Sequence, residues 1–488
     1  MERLIRKYRV NKDDKNSYRI SIGLLKLINK FSKSKNSFTI IKQISDIFNI
    51  PQETVNLKFK KLLHGLMDYK SGKFKQVSSL SPVIFFKEIF KCVFLIITTF
   101  ISFKKNKYKK YDFIIHGIED KRSFERYEQL IKLFKSPLII SKKKLKFKTK
   151  KISTFYNKDI FYSTSRKQVN GKKLKIIVLY LKIIFITLRY NFNYIYFLNL
   201  ILYSVLKNHK LFETRRGKYF MEDRFYNICP IRNYYFKKFG GILTSTPQKN
   251  ILETSISSYI SIDIFFSLAD EKFSPRRIKD LGGNFKRIVP VGSFFLEQDW
   301  YKKVKDQKKI SKIDILFTGL KPNDWLYINN INQQNNNLYK IWIKKIAKLY
   351  PHLSINIKNH GDLKENKFEE EFFKNTNVQI LKNKSINASY GYINKSKLIF
   401  SLGSTTILES ICMGKNGYFI NPASNSKNFF YGMRNLDRIS IKSLNQLKKI
   451  IHVHFALNNK VKVKKNQYCL KSDNVSKRVF NFFKNLND

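Results

Sequence analysis

Short apolar runs alternate with stretches of helical period along most of the chain. Runs of about five apolar residues bounded by polar or glycine positions indicate buried strands. In the first half, the pattern predicts a strand at 111–118, a helix at 120–134 and a second strand at 137–141. In the second half, a strand at 314–319 opens a similar succession. Strand–helix–strand order of this kind is typical of a parallel sheet covered by helices.

The chain is too long for one ordinary core, with 488 residues, so several units are expected. We expect an α/β protein with two Rossmann-like domains facing a cleft and an added N-terminal helical region. The expected boundaries are a helical, basic N-terminal region with an apolar membrane-proximal segment at 1–105, a first Rossmann-like domain with an amphipathic insertion at 106–300, a second one at 301–430, and closing helices at 431–488.

The most informative segment runs from 397 to 422. An apolar run ends at Gly403, the hydroxyl residues Ser404, Thr405 and Thr406 follow, and a short amphipathic stretch leads to a second apolar run. This pattern predicts strand, turn, helix and strand. It places hydroxyls and free backbone N–H groups at a helix N-terminus, where the helix dipole favours an anion such as a phosphate.

Ligands of open parallel sheets collect at the carboxyl ends of strands, near the switch in strand order. Applied to the predicted strands, that rule selects a group in each domain. The second domain contributes Gly319, Lys358, His360, Gly403, Ser404, Thr405 and Thr406, and the first contributes His116, Glu222 and Asp223.

Several of these residues have plainer interpretations. His116 fits a packed core histidine as well as a catalytic base, and Asp223 fits a helix cap or a partner of Arg224. Glu409, three positions after Thr406, fits a capping box in which its carboxylate bonds a backbone N–H. The pattern leaves these alternatives open, and it leaves the choice of base among His116, Glu222 and Asp223 open.

The net charge is extreme: 95 Lys and Arg against 35 Asp and Glu give +60. Such an excess attracts an anionic partner, which can be a membrane surface, nucleic acid or phosphorylated substrates. The four cysteines are scattered, which favours a reducing compartment. The first residues lack a secretory apolar core, so a cytoplasmic protein is expected.

Two apolar stretches suggest contact with a membrane. The uncharged part of 83–103 is shorter than the roughly 20 residues that a spanning helix needs. The stretch at 174–206 carries Lys175, Lys182 and Arg189 at seven-residue spacing, which places them in one stripe of a helix. A helix lying in the headgroup layer of the inner membrane fits this pattern. A core helix with a wet edge and a spanning helix are the alternatives.

The segment 41–62 resembles a helix-turn-helix with lysines on its second helix. A basic nucleic-acid-binding protein is therefore an alternative, although an ordinary helical hairpin gives the same pattern. Nothing else in the sequence supports nucleic acid as the partner.

The segment 403–415 also resembles the donor-site signature of GT-B glycosyltransferases, in particular bacterial enzymes of surface and capsular polysaccharide biosynthesis. The order of motifs from 210 to 293 resembles the second half of an N-terminal GT-B domain. The resemblance implies that Ser404, Thr405 and Thr406 adjoin the diphosphate of a nucleotide-sugar donor and that Glu409 holds its ribose. Lys415-Asn416-Gly417 departs from the Gly-x-Pro of many relatives, which affects the loop geometry.

The implied function is a cytoplasmic, membrane-peripheral glycosyltransferase that needs neither metal nor cofactor. Domain 301–430 would bind the donor, with Lys358 and His360 on its diphosphate, and domain 106–300 would receive a glycan or lipid-linked acceptor. A phosphotransferase that uses a CDP-activated alditol is an enzymatic alternative with a similar site. The sequence predicts no oligomeric state.

Overall fold

The computed structural model describes most of the chain. The described residues are 17–66, 69–70, 73–74, 81–100, 108–141, 145, 152–156, 171–190, 192–223, 228–246, 259, 261–268, 283–297, 311–319, 330–359, 367–381, 388–402, 406–422, 436–456 and 474–486.

Helices and parallel strands follow one another as the hydrophobic pattern predicts. The helices are α1 (Ser17–Ser32), α2 (Lys35–Phe48), α3 (Gln52–Leu66), α4 (Pro82–Phe100), α5 (Lys121–Leu133), α6 (Lys173–Tyr190), α7 (Tyr194–Thr214), α8 (Pro230–Lys238), α9 (Asn330–Leu349), α10 (Lys367–Phe372), α11 (Ala388–Lys395), α12 (Thr406–Cys412), α13 (Leu444–Ala456) and α14 (Val475–Asn485). The strands are β1 (Tyr69–Lys70), β2 (Lys73–Phe74), β3 (Lys109–His116), β4 (Pro137–Ser141), β5 (Ser153–Tyr156), β6 (Arg215–Glu222), β7 (Ile242–Ser245), β8 (Ser261–Ser267), β9 (Asn284–Pro290), β10 (Ile313–Thr318), β11 (Ile355–Lys358), β12 (Val378–Ile380), β13 (Ser396–Ser401), β14 (Asn416–Ile420) and β15 (Ser440–Ile441).

The first large sheet has seven strands in the order β5-β4-β3-β6-β7-β8-β9, and every pairing is parallel. The chain starts at β3, builds outward through β4 and β5, and then returns to the other side of β3 with β6. The strand order therefore reverses between β3 and β6, which is the topological switch point of this sheet.

Alternate residues of these strands enter different cores, because successive side chains of a strand point to opposite faces. On β3, Ile114 faces a core shared with α1–α4 and α6–α8, whereas Phe113 and Ile115 face a core shared with α5 and α14. The sheet is thus covered by helices on both sides. The N-terminal helices belong to the same continuous core as the strands rather than to a separate one.

The second sheet has six strands in the order β12-β11-β10-β13-β14-β15, again all parallel. It has the same topology as the first sheet: the chain starts at β10, builds outward through β11 and β12, and returns to the other side of β10 with β13. Its switch point lies between β10 and β13. This strand order confirms the two Rossmann-like domains predicted from the sequence, and helices α1–α4 confirm the added N-terminal helical region.

The last helix returns to the first sheet after the chain has completed the second. On α14, Phe483 stacks on Tyr219 of β6 at 4.1 Å between ring centroids, and the Tyr219 hydroxyl donates to the Phe483 carbonyl at 2.6 Å. Near its start, the Ser476 hydroxyl donates to Glu297 at 2.6 Å. The chain therefore passes between the two sheets twice.

One expectation needs correction. The apolar stretch at 174–206 is not one helix but two, α6 and α7, and Asn193 is the N-cap of the second. In the acidic run at 369–371, Glu369 is buried and pairs with Lys340 at 2.9 Å. Burial of this carboxylate is possible because the ammonium group compensates its charge.

Candidate functional site

The residues selected from strand ends lie at the switch points of the two sheets. His116 and Glu222 are the last residues of β3 and β6 and are direct partners in the parallel register. Thr318, which precedes Gly319, pairs with Lys358 on one side and with Ser401 on the other. The two sets therefore occupy equivalent places in two equivalent sheets.

At the first switch point, His116 and Glu222 form a buried ionic network with Arg232. The Nδ1 atom of His116 lies 2.7 Å from Oε1 of Glu222. The Arg232 guanidinium bonds the other carboxylate oxygen and lies 3.1 Å from the imidazole Nδ1. Arg232 comes from the first turn of α8, directly after the loop that follows β6. Three ionisable side chains thus share one enclosed space.

This environment lowers the pKa of His116. Burial disfavours the imidazolium, and the neighbouring Arg232 cation adds to that effect. Burial alone would raise the pKa of Glu222, but the charges of Arg232 and His116 outweigh it and the net shift is downward. The arrangement therefore holds a neutral imidazole beside an ionised carboxylate.

Asp223, the residue after Glu222, lies at the same edge of the sheet but bonds to other side chains. Its Oδ1 atom accepts from the Tyr127 hydroxyl at 2.6 Å and from Arg126 at 3.2 Å. Its backbone N–H donates to the His116 carbonyl at 3.0 Å. Gly117 is required here, since its φ is +101° and an added Cβ would meet Asp223 Cβ at 3.0 Å. The structure thus brings together all three candidate bases, His116, Glu222 and Asp223.

At the second switch point, Gly319 allows two strand ends to approach closely. Its φ is +89°, and an added Cβ would lie 2.6 Å from the Leu402 carbonyl oxygen and 2.6 Å from Ser401 Oγ. Leu402 donates its N–H to the Thr318 carbonyl at 3.2 Å. The end of β13 at Ser401 and Leu402 therefore lies directly beside Gly319.

The other donor-side candidates are placed in part. The Lys358 amine donates to the Asn359 carbonyl at 3.0 Å, and burial lowers its pKa. Thr406 begins the seven-residue helix α12. Glu409 lies on that helix, is buried, and accepts from the Tyr390 hydroxyl at 2.9 Å. His360, Gly403, Ser404 and Thr405 lie outside the described residues.

A chain of contacts joins the two switch points. The Arg126 guanidinium, which bonds Asp223, lies 3.8 Å from the centroid of the Phe295 ring. Phe295 follows β9 and stacks on Tyr390 of α11 at 6.5 Å between centroids. Tyr390 in turn bonds Glu409. Only two aromatic rings therefore separate the ionic groups of one site from those of the other.

Sequence reasoning missed the partners that complete these networks: Arg126, Tyr127, Arg232 and Tyr390. Their signal is weak because they lie on helices, whereas the strand-end rule selects residues on strands and turns. In a chain whose cations are mostly lysine, a retained arginine was an available clue, since its planar fork binds carboxylates in two places at once. Both Arg126 and Arg232 pair with a buried carboxylate.

The helix-turn-helix candidate packs against the first domain. Its second helix, α3, contacts α8, and the Lys61 amine donates to the Ile228 carbonyl. Burial, partly offset by Cys229, lowers the pKa of Lys61 to about 7. This helix therefore presents a packed face where a DNA reader would present a free one.

The stripe of Lys175, Lys182 and Arg189 is exposed along α6, as its spacing predicts. Within the described parts of the chain, none of the helices is both long enough and apolar enough to cross a bilayer. Among the same residues, no three His, Cys, Asp or Glu side chains come together as a metal site requires.

Neither a family model nor a curated protein matches the chain. Among solved structures it is similar to MurG of Acinetobacter baumannii, at 11% identity over 77% of this chain and 100% of that one, with a TM-score of 0.38. It is similar to UDP-GlcNAc 2-epimerase of Methanocaldococcus jannaschii, at 12% identity over 77% and 100%, with a TM-score of 0.46.

A third structure is the UDP-forming α,α-trehalose-phosphate synthase of Burkholderia vietnamiensis, at 8% identity over 77% and 99%, with a TM-score of 0.43. Similarity of this degree gives no information on substrate or activity, and the assignment of two Rossmann-like domains rests on the strand order itself.

Proposed function

We propose that the protein is a glycosyltransferase that moves a sugar from a nucleotide-activated donor to a glycan or lipid-linked acceptor. The observation that carries this proposal is the placement of both candidate groups at the switch points of two parallel sheets. Crevices at such points are where open α/β sheets bind their ligands. The donor would lie at the β10–β13 point and the acceptor at the β3–β6 point.

In the reaction, an acceptor hydroxyl attacks the anomeric carbon of the sugar while the bond to the nucleoside diphosphate breaks. A base must take the hydroxyl proton. Among the three candidates, His116 fits best, because its lowered pKa keeps it neutral and Glu222 orients its ring. Glu222 and Asp223 each form an ion pair with an arginine. Arg232 also lies 3.2 Å from Nε2 of His116, so its guanidinium would have to move aside for this nitrogen to accept the proton.

On the donor side, the leaving diphosphate needs compensation of its charge. Hydroxyls and N–H groups at 403–406 and the Lys358 amine supply it in this proposal. Glu409, buried against Tyr390, would have to turn outward to reach a ribose. Two further parts of the proposal rest on the sequence resemblance: the product is a surface glycan, and the enzyme is cytoplasmic and peripheral to the membrane.

The test begins with a thermal-shift screen of UDP-, GDP-, CMP- and CDP-linked compounds, because any ligand that binds the native state raises its melting temperature. Calorimetry with the best compound then compares the native chain with Thr405→Ala, Thr406→Ala. We expect affinity to fall by about tenfold or more with the melting temperature of the free protein unchanged, since a lost hydrogen bond to a charged group costs about 1.5–3 kcal/mol.

Unchanged affinity in the double variant would remove the phosphate role of this turn. Analysis of products separates transfer from epimerisation: a transferase releases free nucleoside diphosphate only when an acceptor is present. A compound that is epimerised while its diphosphate stays attached would contradict the proposed activity.

A further inference from the structure

An exposed apolar face covers the outer side of the N-terminal half. Along α4, its residues are more than two-fifths exposed and recur every three or four positions: Val83 (75%), Phe86 (59%), Phe90 (74%), Val93 (48%), Phe94 (51%) and Ile97 (49%). Along α6, the same spacing gives Leu174 (73%), Val178 (54%), Leu181 (62%), Phe185 (64%) and Leu188 (56%). We call these eleven residues the apolar face.

The two helices that carry this face form one surface. Both α4 and α6 pack on α7, and they contact each other. A buried polar group fixes their rotation: the Asn199 amide of α7 donates to the Glu88 carboxylate of α4 at 3.0 Å, and the Tyr180 hydroxyl of α6 donates to Asn199 at 3.0 Å. Because these contacts hold the inner sides inward, the phenylalanines of the outer side point away from the core.

The exposed charges on α4 and α6 are all positive. Glu88 is the one acidic residue in the sequences of α4 and α6, and it is buried and paired with Lys91 at 2.5 Å. The exposed cations are Lys87, Lys91, Lys173, Lys175, Lys182 and Arg189. Two copies of this surface would bring like charges together, whereas an anionic lipid surface matches both its apolar and its basic character.

The apolar residues of each helix form a row whose direction shows how the two helices would lie on a lipid surface. Each stripe runs along nearly the whole of its helix, so both helix axes must lie parallel to the surface that covers them. A helix inserted end-on would instead be apolar around its full circumference. The spacing therefore fits a layer of headgroups and upper acyl chains, into which apolar side chains reach while lysines stay at the phosphates.

We propose that α4 and α6 together form a two-helix platform that inserts the apolar face into one leaflet of an anionic membrane. The sequence suggested membrane contact for both apolar stretches and a basic stripe on α6 alone. The structure adds that α4 and α6 lie side by side on α7 and that the phenylalanines of α4 are exposed on the same surface. This inference deepens the proposed function, because it would place the first domain where a lipid-linked acceptor lies. Membrane binding itself needs neither donor nor acceptor.

The experiment is flotation of the full chain with vesicles of phosphatidylethanolamine and phosphatidylglycerol, and separately with phosphatidylcholine alone. We expect binding to the anionic vesicles. Two multiple variants remove apolar side chains, one on each helix: Phe86→Ser, Phe90→Ser, Phe94→Ser on α4, and Leu181→Ser, Phe185→Ser on α6. Each multiple variant should lower the binding constant by about a hundredfold, since three or two exposed apolar side chains no longer become buried in lipid. Lys175→Gln, Lys182→Gln, Arg189→Gln should weaken binding to anionic vesicles alone.

Matched controls are Phe38→Ser on α2 and Leu349→Ser on α9, which are 50% and 51% exposed but lie off the apolar face. They should bind as the native chain does. Melting curves of all variants check that the fold is retained, as expected for changes at exposed positions.

A second measurement reports insertion directly. The three tryptophans of the chain, Trp300, Trp325 and Trp342, lie outside α4 and α6. Phe90→Trp should therefore add an emission that brominated lipids quench, whereas Leu349→Trp should add one that they leave unchanged. Failure of the native chain to float with anionic vesicles, absence of quenching at position 90, or equal binding by the α4 variant would overturn the platform.

Self-association is the competing outcome. If the α4 or α6 variant converts a dimer to a monomer in sedimentation while no form binds vesicles, the apolar face is an interface between copies and the lipid proposal is wrong. Donor binding by calorimetry is independent of all these results, so a failed platform and a failed transferase proposal are told apart.

Discussion

Removal of the Glu222 carboxylate should destabilise the protein far more than removal of an exposed ion pair. Glu222 is 1% exposed in its side chain, and Arg232, its partner, is 7% exposed. Glu222→Ala leaves the guanidinium buried without this counter-charge, which costs about 3–5 kcal/mol. The matched control is Lys397→Met, which breaks the pair with Asp314 at 2.7 Å, where the side chains are 55% and 20% exposed. Such a surface pair contributes about 0.2–1 kcal/mol.

Urea denaturation followed by circular dichroism measures both losses. The double variant Glu222→Ala, Arg232→Met should lose less than the sum of its two single variants, because removal of both charges relieves the unpaired one. Losses of less than about 1 kcal/mol for Glu222→Ala, or additive losses in the double variant, would contradict the burial of this network and with it the argument for a neutral His116.

Two further predictions concern pH and the close approach of strands. Because the pKa of His116 is lowered in the folded state, the unfolded chain binds more protons below the ordinary value of 6.5, so stability should fall as pH drops through that value. Melting temperatures from pH 8 to pH 5 should therefore depend less on pH in His116→Gln than in the native chain. Some dependence remains in the variant, because burial lowers the pKa of His209 to about 4 as well; identical profiles would exclude a contribution from His116. Gly319→Ala should abolish binding of the nucleotide compound, because its Cβ would displace the Leu402 carbonyl. The control Gly240→Ala, with a φ of +90° and nothing within 4 Å of an added Cβ, should bind normally. Calorimetry measures binding by both variants, and equal loss in the two would mean that backbone strain alone is responsible.

The hydrophobic pattern was sufficient to predict the central strands and their parallel order, but not the edge strand β5. The strand predicted at 137–141 matches β4, and the strand predicted at 111–118 corresponds to β3, which ends two residues earlier at His116; such short apolar runs are recognisable because strands of a doubly wound sheet are buried on both faces. The strand-end rule then located His116 and Glu222 without knowledge of their contact, since parallel neighbours end at the same edge.

Long-range partnerships were not accessible in the same way. Nothing in the sequence near Arg232 shows that it lies between His116 and Glu222, because this contact depends on how α8 crosses the sheet. Likewise, the amphipathic period of α14 predicts a helix with one buried face, but it does not identify the sheet that covers that face. The spacing of α6 predicted its exposed stripe, and the apolar run of α4 suggested membrane contact, but the contact between these two helices became visible only in the structure.

The return of α14 to the first sheet affects the order in which the protein can mature. During synthesis, β3, α5 and β6 leave the ribosome long before α14. Phe134 and Tyr219 therefore lack their contact with Phe483 until the whole second domain has been synthesised. A fragment that ends near 297 would carry this uncovered aromatic surface permanently and should be captured by chaperones or precipitate. Only the emergence of α14 from the ribosome completes the core that the earliest strands began.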